Sequence, residues 1–183
     1  MDTPLKPTSE DLMLDYAQGN VAAFTQLYAL HKAPLFRFIL RQGIHREKVD
    51  ELFQEIWLKV IKARESYQTT ARFQTWFYSI ARNHLIDDYR KQGHFIATEL
   101  EEELHEDINS PDIEDVIDWA RKKEHLLAEV TALPFEQREA FLLKHEAGMN
   151  NEDIALVTGT NKETAKSRIR YAMNQLKKQL GGS

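Results

Sequence analysis

Between Val49 and Ile61 the apolar side chains fall at Val49, Leu52, Phe53, Ile56, Trp57, Val60 and Ile61. Steps of three and four place them on one broad stripe of an α-helix, and no strand could keep them on one side. A stripe that wide must be covered by other helices. A second segment repeats the pattern with Phe73, Trp76, Phe77, Ile80, Ala81, His84 and Leu85. Upstream, Thr8 or Ser9 can cap a helix carrying Leu12, Met13 and Tyr16, which Gly19-Asn20 breaks. Phe24, Leu27, Tyr28, Leu35, Phe36, Ile39 and Leu40 then continue the helical spacing as far as Gly43, with Pro34 expected to interrupt it. Residues 8–93 therefore read as a bundle of about four helices.

Charge divides the chain. Ten acidic residues and no Lys or Arg lie between Glu99 and Asp118, whereas the whole protein carries only -5, so the remainder is basic. That stretch also holds Asn109-Ser110-Pro111-Asp112, a turn signature. Residues 94–121 read as an acidic linker, at least partly flexible, between two basic-leaning blocks. The fold class expected is all-α, with two small helical domains.

The second block, residues 122–180, has its own punctuation. Pro134 suits the first turn of a helix bearing Phe135, Phe141, Leu142 and Leu143, which Gly148 ends. Asn150 can cap a short helix containing Ile154, Ala155 and Val157, with Glu152 and Asp153 in its first turn. Thr158-Gly159-Thr160 then leads into a longer helix, where Thr160 and Glu163 have capping-box spacing. Its buried side should hold Ala165, Ile169, Ala172, Met173, Leu176 and Leu180. A short helix, a Gly-bearing turn and a longer helix make the helix-turn-helix plan, whose second helix enters the major groove of DNA. The opposite side carries Lys162, Lys166, Ser167, Arg170 and Lys177, with Arg168 at its edge, and residues 161–180 sum to +5. Phosphate attraction is thus supplied locally by an acidic protein. A solvated basic face on a three-helix bundle is the competing reading.

Two other surfaces carry chemistry. Tyr78, Arg82, Asn83, Ile86, Tyr89, Arg90 and Lys91 lie off or beside the Trp76 stripe, and rings interleaved with cations suit single-stranded nucleic acid. Just before them, Tyr67-Gln68-Thr69-Thr70-Ala71-Arg72 forms a polar loop able to hold an unstacked base. Ordinary core packing accounts for Phe73, Trp76 and Phe77 and is the better reading of Tyr89, so only the combination with Arg82, Asn83 and Arg90 argues for nucleic acid. On the Val49 helix, Glu51, Gln54, Glu55, Leu58 and Lys62 share the outer side, one apolar residue in a polar rim.

No run of eighteen apolar residues occurs, and the opening MDTPLKPTSEDL has neither a signal-peptide core nor transit-peptide character, so a cytoplasmic protein is expected. With no Cys, thiolate metal sites and thiol redox chemistry are excluded. His84 and Asp88 are spaced i, i+4 like paired metal ligands, but no HExxH, P-loop or dinucleotide motif accompanies them. Neither a metal nor a cofactor is expected, nor is an enzyme.

Three stretches together resemble the extracytoplasmic-function sigma factors, small two-domain promoter-recognition subunits of bacterial RNA polymerase. They are DELFQEIWLKV, FQTWFYSIARNHLIDDYRK, and LPFEQREAFLL followed by NNEDIALVTGTNKETAKSRIRYAMNQLKKQL, in family order over nearly the whole chain. The resemblance implies core RNA polymerase as a partner, with Asp50, Glu51, Gln54, Glu55 and Leu58 facing the coiled coil of the beta-prime clamp. It implies melting and capture of the -10 non-template strand by Tyr67, Arg72, Tyr78, Arg82, Asn83, Arg90 and Lys91. It implies reading of the duplex -35 element by Lys166, Ser167, Arg170 and Tyr171, with phosphate support from Lys162, Thr164 and Arg168. The linker would pass through the polymerase near its active-site and RNA-exit channels, and an anti-sigma factor is an expected partner. No membrane insertion and no small-molecule substrate are implied.

Glu163-Thr164-Ala165-Lys166-Ser167-Arg168 departs from the usual Gly-Thr-Val-Lys/Arg-Ser-Arg, and Tyr171 stands where a basic residue is common. These departures bear on which -35 sequence is preferred. An autonomous helix-turn-helix regulator, needing no polymerase, is the alternative of a different class.

Overall fold

The computed structural model describes residues 6–92 and 113–180, and side chains at 6–91 and 121–180. Helix α1 spans Ser9–Ala17, α2 Val21–Leu40, α3 Arg46–Ala63, α4 Phe73–Gln92, α5 Ile113–Ala132, α6 Phe135–His145, α7 Asn151–Thr158 and α8 Lys162–Leu180, with a 3-10 turn at Arg64–Ser66. No strand occurs among the described residues. The all-α expectation holds.

Local chemistry sets the ends of these helices. The Thr8 hydroxyl accepts from the Asp11 amide while the Asp11 carboxylate accepts from the Thr8 amide, which closes a capping box on α1. Gly19, at φ 99°, turns the chain, and Asn20 caps α2 through the Ala23 amide at 3.3 Å. Pro34, by contrast, does not interrupt α2, which runs unbroken to Leu40. Leu27 and Leu35 before and beside it, and Phe38 and Ile39 beyond, are all fully buried. Packing on both sides of Pro34 outweighs the one backbone hydrogen bond it removes.

The core of α1 to α4 is an aromatic seam. Trp57 on α3 meets Phe77 on α4 at 5.1 Å and Phe24 on α2 edge-on at 5.8 Å, while Phe73 and Phe77 stack at 5.3 Å. Leu52, Ile56 and Val60 complete the expected stripe of α3. On α4 the buried line is rotated from the one expected: Phe73, Phe77, Tyr78, Ala81 and Leu85 are inside, and Trp76, Ile80 and His84 sit at the margin.

In the second block Val130, Leu133, Leu142, Leu143, Ile154, Val157, Ala165, Ala172 and Leu176 form the core. Leu180, expected on the buried side, is 37% exposed at the end of α8. Pro134 stands at the N-cap of α6 rather than within its first turn. The acidic segment also differs from expectation, because α5 begins at Ile113, inside the stretch read as linker. Residues 93–112 lie outside those described. Helix α7 packs on α4, so the two blocks touch.

His31 is buried between the Phe73 and Phe77 rings, with Nε2 2.8 Å from Ser9 Oγ. Burial holds its pKa down to about 4 from an ordinary 6.5, against the opposing pull of Glu10. In that window the unfolded chain binds more protons than the folded one. Stability is therefore full above the upper value and drains as pH falls toward the lower, by up to about 3 kcal/mol. Urea unfolding at pH 7 and pH 4.5 checks this: His31→Gln should lose less stability between the two than the parent does.

Candidate nucleic-acid interface

Helix α8 is fixed in rotation by the residues it buries. Asn150 caps α7 by accepting from the Asp153 amide at 2.8 Å, and Gly159 ends it in the left-handed region at φ 67°. The cap of α8 is Asn161, whose side-chain oxygen accepts from the Thr164 amide at 2.8 Å. The Thr160–Glu163 box does not form, since the Thr160 hydroxyl lies instead 3.1 Å from that of Thr158. Asn at this position makes the shorter route to the amide and frees Thr160 to tie the turn together. Asn161→Ala should cost about 1 kcal/mol, read as a lowered urea midpoint for the intact chain.

With Ala165, Ala172 and Leu176 inside, Lys162, Lys166, Arg170, Tyr171 and Lys177 emerge in solvent. Lys166 and Arg170, four apart, leave the same strip of helix. The Arg170 guanidinium lies 5.3 Å from the Tyr171 ring centroid, which steadies both. Thr164, Ser167 and Arg168 are half-buried along the flank, and Lys162 pairs with Glu152 of α7. That pair is open to water and competes weakly with a phosphate.

The α4 surface differs from its expected form. Tyr78 is 1% exposed, edge-on to Phe38 at 5.2 Å, and burial pushes its hydroxyl pKa well up. It belongs to the core and cannot meet DNA as placed. Tyr67 is likewise buried, its ring between Phe73 and Trp76. Both rings fell at the margin of a helical or loop pattern, where apolar bulk prevails once a partner helix is available. Tyr89 packs edge-on against Phe135 of α6, as ordinary core packing would have it.

Asn83, Arg90 and Lys91 are exposed. Arg82 is not free: its Nε lies 2.6 Å from Glu139 Oε1 on α6, and the Glu139 side chain is only 2% exposed. Burial raises the Glu139 carboxyl above the usual range, opposed by Arg82 and by the nearby Arg168 of α8. Arg72 is exposed and pairs with Asp153 of α7 at 3.5 Å.

Two depressions flank α4. One, of ≈ 540 Å³, is lined by Glu10, Thr69, Thr70, Ala71, Arg72 and Gln74, and so falls on the loop expected to hold a base. Glu10 of α1 fixes this loop by accepting from the Phe73 amide at 2.8 Å, satisfying an orphan donor at the start of α4. The second, of ≈ 410 Å³, lies between α3 and α4, lined by Lys59, Lys62, Ala63, Ile80, Asn83 and His84. Sequence spacing missed Lys59 as a neighbour of Asn83. The i, i+3 pair Lys59 and Lys62 was visible, but which helix faced it was not.

On α3, Asp50, Glu51 and Gln54 are exposed and Leu58 is 53% exposed, an apolar tip in a polar surround. Glu55 is half-buried and bonds His84 Nε2 at 2.7 Å, tying α3 to α4. Asp88 pairs with Lys48 at 3.3 Å, so His84 and Asp88 have different side-chain partners. Among the described residues no group of three or more His, Asp or Glu is placed to hold a metal ion, and no helix is long and apolar enough to cross a membrane.

Residues 27–95 match the family described as Sigma-70 region 2, and residues 123–176 match Sigma-70, region 4. The chain belongs to the sigma-70 family, within the extracytoplasmic-function group, and is a sigma factor for promoter-specific transcription. The RNA polymerase sigma factor CarQ of Myxococcus xanthus is 28% identical over 91% of this chain and 94% of its own. The ECF RNA polymerase sigma factor RpoE of Cereibacter sphaeroides is 28% identical over 87% of each. Among solved structures, the fold is shared with CnrH in complex with the cytosolic domain of CnrY, with TM-score 0.70, 23% identity, and 96% and 98% of the two chains covered. It is shared too with RpoE in complex with the anti-sigma factor NepR from Bartonella quintana, with TM-score 0.71, 24% identity, and 87% and 98% covered.

Proposed function

We propose that this sigma factor docks on core RNA polymerase through the outer face of α3, reads the -35 element as duplex through α8, and engages the -10 element as a single strand along α4. The observation that carries the reading is the exposed strip of α8, where Lys166, Arg170 and Tyr171 stand on a helix whose rotation is fixed by three buried residues. A rigid helix presenting cations at i, i+4 is what simultaneous contact with one groove requires. Ser167 stands beside them, with Lys162, Thr164 and Arg168 as phosphate ligands on the flanks. On α4, Asn83, Arg90 and Lys91 supply the accessible amide and cations, Arg72 and Arg82 add two more once released from their carboxylates, and the Thr69–Arg72 depression takes an unstacked base. Asp50, Glu51, Gln54 and Glu55 surround Leu58 as a polar rim around one anchor, fitting the beta-prime clamp coiled coil. An anti-sigma partner is included in the proposal, since the RpoE of similar fold is captured with one.

Selection of promoter sequences by polymerase holoenzyme tests the α8 assignment. Lys166→Ala and Arg170→Ala should each lose about 1–3 kcal/mol of discrimination at individual -35 positions, and unchanged preferences would move the recognition strip elsewhere. For α3, Leu58→Asp should weaken binding to core polymerase at least tenfold while shifting stability by no more than about 0.5 kcal/mol. Titration calorimetry with core enzyme, beside a urea melt, separates the two effects.

A further inference from the structure

Helix α1 precedes residues 27–95, the stretch that matches Sigma-70 region 2, and none of the three binding faces described above includes it. One of its side chains nevertheless forms a wall of the depression at residues 69–72: Glu10. That side chain is held at both ends. Leu12 and Met13 are buried, and Ser9 Oγ lies 2.8 Å from Nε2 of the buried His31, so the first turn of α1 cannot roll. At its far end Glu10 Oε1 accepts from the amide of the fully buried Phe73 at 2.8 Å.

The second oxygen is left over. Thr8 and Asp11 close the capping box of α1, so the helix makes no use of the Glu10 carboxylate for its own start. Oε2 has no hydrogen-bond or ion-pair partner among the described residues. On the other walls the Thr69 and Thr70 hydroxyls can donate or accept, and Arg72 only donates. Gln74 spends an amide N–H on the Ala147 carbonyl at 3.0 Å. Glu10 is the one carboxylate in the lining, an acceptor whose position is set by the hydrogen bond its neighbouring oxygen makes.

Bases differ in how they meet such a group. Cytosine and adenine present an amino donor beside a ring-nitrogen acceptor, which suits Oε2 with a hydroxyl or guanidinium alongside. Thymine presents a carbonyl oxygen where the amine would be, and two acceptors then face each other. Guanine can engage a carboxylate through two N–H groups, but that needs both oxygens and Phe73 already occupies one.

We propose that Glu10 is a specificity-determining residue for the melted promoter strand: its free oxygen accepts from the exocyclic amine of a cytosine or adenine seated in the depression and turns thymine away. The inference rests on the α4 reading given above, in which that depression takes an unstacked base, and deepens it by naming the edge that is read. A hydrogen bond to a charged acceptor outweighs a neutral one, and a base lacking the amine leaves the carboxylate unpaired.

The test uses polymerase holoenzyme with the full chain, on promoters held open by mismatches across the -10 region and varied one non-template base at a time. At one position cytosine or adenine should support initiation better than thymine by on the order of tenfold. Substituting the pyrimidinone that lacks only cytosine's amino group, or purine in place of adenine, should remove that advantage in the parent protein. Glu10→Gln supplies the second arm. Its amide oxygen can still accept from Phe73, and its nitrogen then turns a donor toward the depression, so the preference at that position should pass to thymine or guanine, whose carbonyls accept. Other -10 positions and the -35 preference should stay as in the parent.

A residue that merely holds the start of α4 would be replaced by Gln without moving any base preference. That result, or analogues used as well as the bases they replace, overturns the proposal while leaving the α4 reading intact. A parent that selects no base anywhere along the open strand, yet keeps its -35 selection, removes the α4 reading and the proposal with it.

Discussion

The aromatic seam where Trp57, Phe24 and Phe77 converge sets the rotation of α2, α3 and α4, and with it everything those helices can offer a partner. A helix that buries Leu52, Ile56 and Val60 has no choice about where Leu58 goes. The same logic governs α8, whose small buried residues Ala165 and Ala172 let it approach α6 and α7 closely while its cations turn outward. Binding surfaces here are the remainder after burial.

How far that remainder could be read from sequence depended on distance along the chain. The α3 stripe and the exposure of Lys166 and Arg170 follow from local period alone, and the structure places them accordingly. Caps were legible at Thr8 and Asn150 because cap and amide are three residues apart. Residues on the boundary of a stripe were less so. Tyr78 and Tyr67 could face either way by spacing, and only the arrival of Phe38 or Trp76 decides that they go inside. Pro34 broke a local rule that packing on both sides overrode, and the helical start of α5 at Ile113 was hidden by the acidity around it.

Arg82 shows a third kind of gap. Its charge and position suited nucleic acid, and nothing nearby in sequence suggested otherwise. Its partner Glu139 lies 57 residues away, across the acidic segment, and the same holds for Arg72 with Asp153. Long-range ion pairs leave no period in a sequence.

The proposed function assigns the exposed face of α3 to polymerase and those of α4 and α8 to two parts of one promoter. The most direct measurement of that claim is transcription in vitro by purified core RNA polymerase with the full chain on a library randomised across the promoter region. Recovered transcripts should define two separated blocks of preferred sequence, upstream and around the start of melting, and none should arise without the chain. Folded chain and active core enzyme yielding no sequence-selective transcripts would contradict the account.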